Sequence, residues 1–224
     1  MFANEEERTK VKICGLTSLE DARFASGALA HYLGFIFYEE SPRFIKHAEA
    51  GAIINWIEGP ECVGVFVNQP LDDVNMICRQ TGIDLVQLHG NESPEYTALV
   101  EKPVIKVIHV EPSATESQLK AKVESFLEHV EYFMFDTKIG DQWGGTGQAF
   151  DWSLVKDVAG GKPFFLSGGI NEHNIRKACK QIKPYAVDLS SSLESEPGVK
   201  DFDKIEAFME EMREIWDKQE MGEL

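Results

Sequence analysis

The 224-residue sequence contains no stretch close to the roughly 20 consecutive apolar residues that a membrane-spanning helix needs. It is also short of positive charge. Its 22 Lys and Arg against 38 Asp and Glu leave a formal net charge of −16, which argues against nucleic acid and anionic membrane surfaces as partners, since both are held through excess Lys and Arg. Cysteine is scarce and dispersed: Cys14, Cys62, Cys78 and Cys179 form no C-x-x-C pair, so neither a zinc site nor a disulfide framework is predicted, and the thiols are expected to be free. No Pro/Gly/Ser-rich linker divides the chain, which predicts one domain over residues 1–224. The opening MFANEEERTK has neither a basic region nor an apolar one, and the expectation is a cytoplasmic protein with no obligate protein partner evident.

With 43% hydrophobic residues the chain can bury a large core. Short β-rich apolar runs recur: VKIC (11–14), YLGFIF (32–37), CVGVFV (62–67), IDLVQL (83–88), VIKVI (104–108), YFMFD (132–136), PFFL (163–166) and YAVDL (185–189). Between them lie segments of helical period, among them LEDARFASGA, LDDVNMICRQTG, ESQLKAKVESFLEHV, NEHNIRKACKQI and KDFDKIEAFMEEMREIW. Strands alternating with helices predict parallel, right-handed crossovers, in either an open doubly wound sheet or a closed barrel. Eight strands spaced by roughly 20 to 30 residues favour the eight-stranded β/α (TIM) barrel, for which about 250 residues is typical. No G-x-G-x-x-G follows the first strand, so a dinucleotide-binding sheet lacks its main signal.

In such a barrel the residues just past each strand converge on one mouth, where active sites sit. Here those segments are polar, charged and glycine-rich, and the one after strand six, DTKIGDQWGGTGQAFDW, is the longest, as lids and binding loops tend to be. SGGI (167–170) follows strand seven and SSS (190–192) follows strand eight. Barrels often build a phosphate cradle from backbone N–H groups there, and glycine lets the backbone approach an anion with no Cβ in the way. GGTG (144–147) is placed to close over the same ligand. An isolated Gly-Gly is more often only a tight turn; clusters after three consecutive strands favour the cradle.

Two strand-end residues carry candidate chemistry, Cys14 in KICG and Asp136 in FMFDT. The bland readings are a buried, inert cysteine and a turn-holding aspartate. Period-two alternation puts Lys12 on the same face as Cys14. If that face is the interior, the ammonium favours the thiolate; an ion pair between Lys12 and Asp188 is the alternative, and both can hold together. Arg43, after strand two, is a fork suited to a carboxylate. His89, after strand four, is expected to support the site rather than act as an acid or base, since no second histidine or metal ligand stands beside it.

Through nearly its whole length the sequence resembles the phosphoribosylanthranilate isomerases, in KICGLTSLEDA, YLGFIFYEESPRFI, VGVFVNQP, DLVQLHGNES, FDTKIGDQWGGTGQAFDW, LSGGINEHNI and AVDLSSSLESEPGVKD. The resemblance implies a β/α barrel that converts N-(5-phospho-β-D-ribosyl)anthranilate to 1-(2-carboxyphenylamino)-1-deoxyribulose 5-phosphate by an Amadori rearrangement, the third step from chorismate to tryptophan, with no metal or organic cofactor. It implies Asp136 as the general acid that opens the ribose ring and Cys14 as the general base that takes the C2′ proton. Arg43 would contact the anthranilate carboxylate, Gly145, Gly168, Gly169, Ser190 and Ser191 would form the phosphate end, and His89 and Lys12 would support the substrate.

One departure stands out. Family members commonly read SSG after strand eight, where this chain reads Ser190-Ser191-Ser192; if the third position needs a positive φ, Ser192 is strained and phosphate affinity changes. Two rivals are weighed against this reading. A histidine-pathway aminoaldose isomerase is expected to use paired aspartates, and Cys14 in place of the first argues against it. A decayed, non-enzymatic barrel is opposed by intact Cys14, Arg43 and Asp136.

Overall fold

All eight apolar runs form strands in the computed structural model, which describes residues 8–139, 142–143 and 152–224. They are β1 (Lys10–Cys14), β2 (Tyr32–Ile36), β3 (Glu61–Phe66), β4 (Leu85–Leu88), β5 (Val104–Val110), β6 (Tyr132–Ile139), β7 (Phe164–Leu166) and β8 (Ala186–Leu189). Neighbours pair in parallel in the order β5-β4-β3-β2-β1-β8-β7-β6, and the β5–β6 pairing closes the sheet into a barrel. β6 runs beyond its apolar part and pairs antiparallel with a short strand, Gln142–Trp143. Gly145 and the rest of the GGTG cluster lie outside the described residues.

The crossovers carry α1 (Leu19–Gly27), α2 (His47–Ile54), α3 (Leu71–Thr81), α4 (Pro94–Thr97), α5 (Glu116–Glu124), α6 (Ile175–Ile182) and α7 (Phe202–Glu220); between β6 and β7 the described residues hold a 3₁₀ turn, Trp152–Val155. Local chemistry sets the helix starts. Ser18 accepts from the Asp21 N–H, Asp201 from the Lys204 N–H, and Thr115 and Gln118 form a reciprocal capping box, each meeting a backbone donor that a helix N-terminus leaves open. α5 ends at Glu124, earlier than the periodic segment, and α6 begins only at Ile175 because Asn171 and Asn174 are used by the preceding loop.

The strand pleat splits the apolar residues into two cores, as period-two alternation requires. Tyr32, Val63, Leu85, Ile105, Val107, Met134, Phe165 and Ala186 fill the barrel interior. Residues of opposite parity, such as Val11, Ile13, Leu33, Phe35, Phe133 and Phe135, meet the surrounding helices. Full burial of each such side chain is worth about 1.5–3 kcal/mol. Tyr132 and Tyr185 stack at 5.1 Å, and Lys10 Nζ donates to the Tyr185 hydroxyl at 2.7 Å near the strand starts. Continuing the inward parity toward the strand ends changes the chemistry: Lys12, Gln87, Asp136, Ser167 and Asp188 are polar and buried. That polar upper layer is the floor of the mouth.

Candidate active site

Cys14 ends β1, 5% exposed, with the fully buried Lys12 two residues before it. Lys12 Nζ donates to Asp188 Oδ1 at 2.7 Å, across the β1–β8 register that sets the two residues side by side, while Ser167 Oγ donates to Asp188 Oδ2 at 3.2 Å. Burial alone would lower the Lys12 pKa, but Asp188 and then Cys14 outweigh it and raise it, keeping the ammonium charged. The ion pair and the thiol contact therefore both exist. The expected activation of the thiol is not what results. Burial, with Asp188 adding to it, pushes the Cys14 pKa above its ordinary value despite the opposing pull of Lys12 and, more weakly, Lys200, because a low-dielectric site penalises an anion more than these cations recover.

Asp136 ends the apolar part of β6 and is 2% exposed. His89 Nε2 stands 3.6 Å from Asp136 Oδ2, and the backbone register places His109 of β5 directly opposite Asp136. The two imidazoles meet edge to face at 4.9 Å, Gln87 Nε2 lies 3.1 Å from His89 Nδ1, and His109 Nε2 lies 2.9 Å from the His89 carbonyl. Burial first, then the nearby His109, Lys12 and Lys106, hold the His89 pKa well below its ordinary value. His89 is thus a neutral ring and brings no positive charge against the Asp136 carboxyl. The expectation that no second histidine stands beside it was wrong. His109 was findable, since it continues the inward parity of Ile105 and Val107 to the end of β5.

At the other end of the mouth, Gly168 and Gly169 adopt φ of +85° and +73°, the left-handed region that glycine enters without strain. Asn171 Nδ2 and Asn174 Nδ2 both donate to the Gly169 carbonyl, at 3.2 and 2.7 Å, which turns that oxygen into the loop. A cavity of about 230 Å³ lies between this turn and the segment after β8, bordered by Gly168, Gly169, Ser190, Ser191 and Ser192. The Ser190 hydroxyl is buried and has no hydrogen-bond partner among the described residues. Ser192 sits inside the 3₁₀ turn Ser191–Leu193. Among the described residues the non-glycine positions with positive φ are Leu29, Asn68 and Lys183, and Ser192 is not one of them, so the condition for strain there is not met.

Arg43 reaches this region from the loop after β2. Its fork is occupied: Nε lies 2.8 Å from Glu194 Oε1 and Nη2 lies 2.7 Å from Glu194 Oε2. Gly15, at φ +80°, makes room for it, since a Cβ there would come within 2.6 Å of Arg43 Cδ.

Residues 11–211 match the profile of a family described as N-(5'phosphoribosyl)anthranilate (PRA) isomerase. The chain belongs to this isomerase family. The N-(5'-phosphoribosyl)anthranilate isomerase of Geobacter sp. (strain M21) is 41% identical over 209 residues, 92% of this chain and 99% of that protein. The crystal structure of phosphoribosyl anthranilate isomerase from Thermotoga maritima superposes with a TM-score of 0.83 at 35% identity, covering 92% of this chain and 99% of that one. A phosphoribosyl anthranilate isomerase in complex with reduced 1-(o-carboxyphenylamino)-1-deoxyribulose 5-phosphate superposes with a TM-score of 0.79 at 33% identity, over 92% and 99% of the two chains.

As a phosphoribosylanthranilate isomerase fold, the barrel brings Lys12, Cys14, His89, Asp136, Asp188 and the cavity between Gly168 and Ser190 to one end. No helix among the described residues is long and apolar enough to cross a membrane. Sequence reasoning missed Gly34, Gln87, His109, Asn171, Asn174, Glu194 and Lys200. The last two lie past β8, where charged residues carry no pattern that distinguishes a buried network from a solvated loop.

Proposed function

We propose that the chain converts N-(5-phospho-β-D-ribosyl)anthranilate to 1-(2-carboxyphenylamino)-1-deoxy-D-ribulose 5-phosphate, the third step from chorismate to tryptophan. The observation that carries the reading is the burial, in one barrel mouth, of a thiol on β1 and a carboxyl on β6, with a glycine-turn cavity beside them. Asp136 gives its proton to the ribose ring oxygen as the C1′–O bond breaks, and the anthranilate nitrogen lone pair forms the Schiff base. Cys14, as thiolate, removes the C2′ proton to give the enolamine. Shift of the enol hydrogen to C1′ yields the ketone; the substrate has gained one proton from Asp136 and lost one to Cys14, so no atom is gained or lost, and passage of a proton from Cys14 back to Asp136 restores both groups for the next turnover. Acid and base must hold opposite protonation states at once: neutral His89 brings no positive charge against Asp136, and the Lys12 ammonium opposes the burial that raises the Cys14 pKa, so the reactive thiolate is the minor form of Cys14 in the free protein.

The phosphate docks against Gly168, Gly169, Ser190 and Ser191, where backbone N–H groups and the unpartnered Ser190 hydroxyl can donate. Arg43 takes the anthranilate carboxylate. Lys12 holds the base and its counter-charge Asp188 in register, and His89 supports Asp136.

The direct test incubates purified protein with freshly prepared phosphoribosylanthranilate and follows loss of substrate and appearance of the ketone. Turnover is expected. Folded protein that leaves the substrate unchanged would leave only a ligand-binding role.

A further inference from the structure

An antiparallel hairpin follows β8, pairing Glu194–Glu196 with Val199–Lys200, and Glu194 and Lys200 are register partners in it. The Lys200 side chain is 0% exposed. Its ammonium reaches three oxygens: the Cys14 carbonyl at 2.7 Å, Glu194 Oε1 at 2.8 Å and the Ser190 carbonyl at 3.2 Å. An ammonium has three protons, so all are placed. The Glu194 carboxylate also accepts the Arg43 fork, and its own carbonyl accepts from Lys204 Nζ at 2.7 Å. Thr17 Oγ1 donates to the Gly198 carbonyl at 2.6 Å, and the Lys200 N–H lies 3.4 Å from Asp21 Oδ2, which ties the hairpin to the segment after β1.

We propose that Glu194 and Lys200 are positioning residues for the reaction proposed above, and the inference rests on that reading. Lys200 fixes the base-bearing end of β1 against the phosphate segment after β8 and sets a second cation beside the thiol, while Glu194 aims Arg43.

Packing alone does not call for this arrangement. A buried ion pair is often no more stabilising than apolar residues of the same volume, yet here its bonds end on the backbone of the proposed base, on the backbone of a proposed phosphate residue and on the proposed carboxylate contact. The charges facing Cys14 are Lys12 and Lys200 against Asp188, with Arg43 also near. Burial lowers the Lys200 pKa and Glu194 opposes that loss; Arg43 and Lys200 together overcome burial and hold Glu194 below its ordinary value. The Glu194 pair engages Nε and Nη2 of Arg43, so the Nη1 side of the guanidinium lies outside it. An arriving carboxylate meets a fork whose plane is already set.

Two readouts test this on the full chain: the pH midpoint of Cys14 alkylation by iodoacetamide, read thiol by thiol by mass spectrometry, and steady-state kinetics with phosphoribosylanthranilate. Thermal melts check folding. Lys200→Met is expected to move the Cys14 midpoint upward and to lower kcat/KM by roughly tenfold or more. Lys200→Arg keeps the charge and should hold the midpoint near wild type. Glu194→Gln should chiefly raise KM. A folded Lys200→Met with a wild-type midpoint overturns the proposal, as does Glu194→Gln with unchanged KM. Should Lys200→Met fail to fold, Glu194→Gln decides by its KM alone. Alkylation needs no substrate, so a wild-type protein that does not turn over phosphoribosylanthranilate would remove the reaction, while the midpoint still decides whether Lys200 couples to Cys14.

Discussion

Gly34 stands beside Cys14 in the β1–β2 register, and a Cβ on Gly34 would lie 2.7 Å from the Cys14 sulfur and 3.0 Å from Lys12 Nζ. The missing side chain on β2 is therefore what gives the proposed base and its cation room on the inner face.

Gly34→Ala should accordingly disturb chemistry more than fold. The thiol must shift, and a misplacement on the order of 1 Å can cost roughly 10² in rate. The expected result is a fall in kcat of at least about tenfold with a cooperative thermal melt retained. Wild-type kcat would show that the thiol's position is not critical.

Arg43→Lys is expected to raise KM although the charge is conserved. The planar fork that Glu194 now holds through Nε and Nη2 has no ammonium equivalent. Steady-state kinetics decide it: unchanged KM and kcat would remove Arg43 from the site.

At the phosphate end, Gly169→Asp puts both a carboxylate and a Cβ at φ +73° beside the cavity. Like-charge repulsion and backbone strain act together. Affinity for substrate and for inorganic phosphate should fall in parallel, measured by kinetics and calorimetry. Normal phosphate binding by a folded variant would place the cradle elsewhere.

How much of this site could be read in the sequence follows from local and non-local signals. Cys14, Asp136, Gly168 and Gly169 sit where a strand run ends, so their place in the barrel mouth was legible. So was the Lys12–Asp188 pair, by parity. The Cys14 environment was misjudged because spacing shows which charges stand near a thiol, but not how dry the site is, and burial is the largest cause of the raised Cys14 pKa. Glu194 and Lys200 were invisible for a different reason: their meeting with Arg43 and the Cys14 carbonyl joins segments more than a hundred residues apart, through a short hairpin with no periodic pattern. α4 and the 3₁₀ turn Trp152–Val155 show the same limit, since a single helical turn leaves no periodicity to detect.

His89 gives a pH prediction. Its folded pKa is depressed by burial and by neighbouring cations, so the unfolded chain binds the proton more readily. Its contribution to stability is then present above its ordinary value of 6.5 and is lost as pH falls below that toward the folded value. Denaturant unfolding from about pH 8 to about pH 5 should show a decline that His89→Gln makes shallower. Identical slopes in the two proteins would show that His89 is not held neutral.

The division of labour between Cys14 and Asp136 is tested most directly by kcat for Cys14→Ala and Asp136→Asn with phosphoribosylanthranilate as substrate. One variant lacks a group to take the C2′ proton, and the other keeps its shape with no acidic proton to give the ring oxygen. Each should lose at least roughly 10² in kcat, within the 10² to 10⁴ typical of a positioned acid or base, while both still bind product. Near-wild-type turnover by Cys14→Ala, or activity that follows alkylation of Cys62, Cys78 or Cys179 instead, would contradict the assignment.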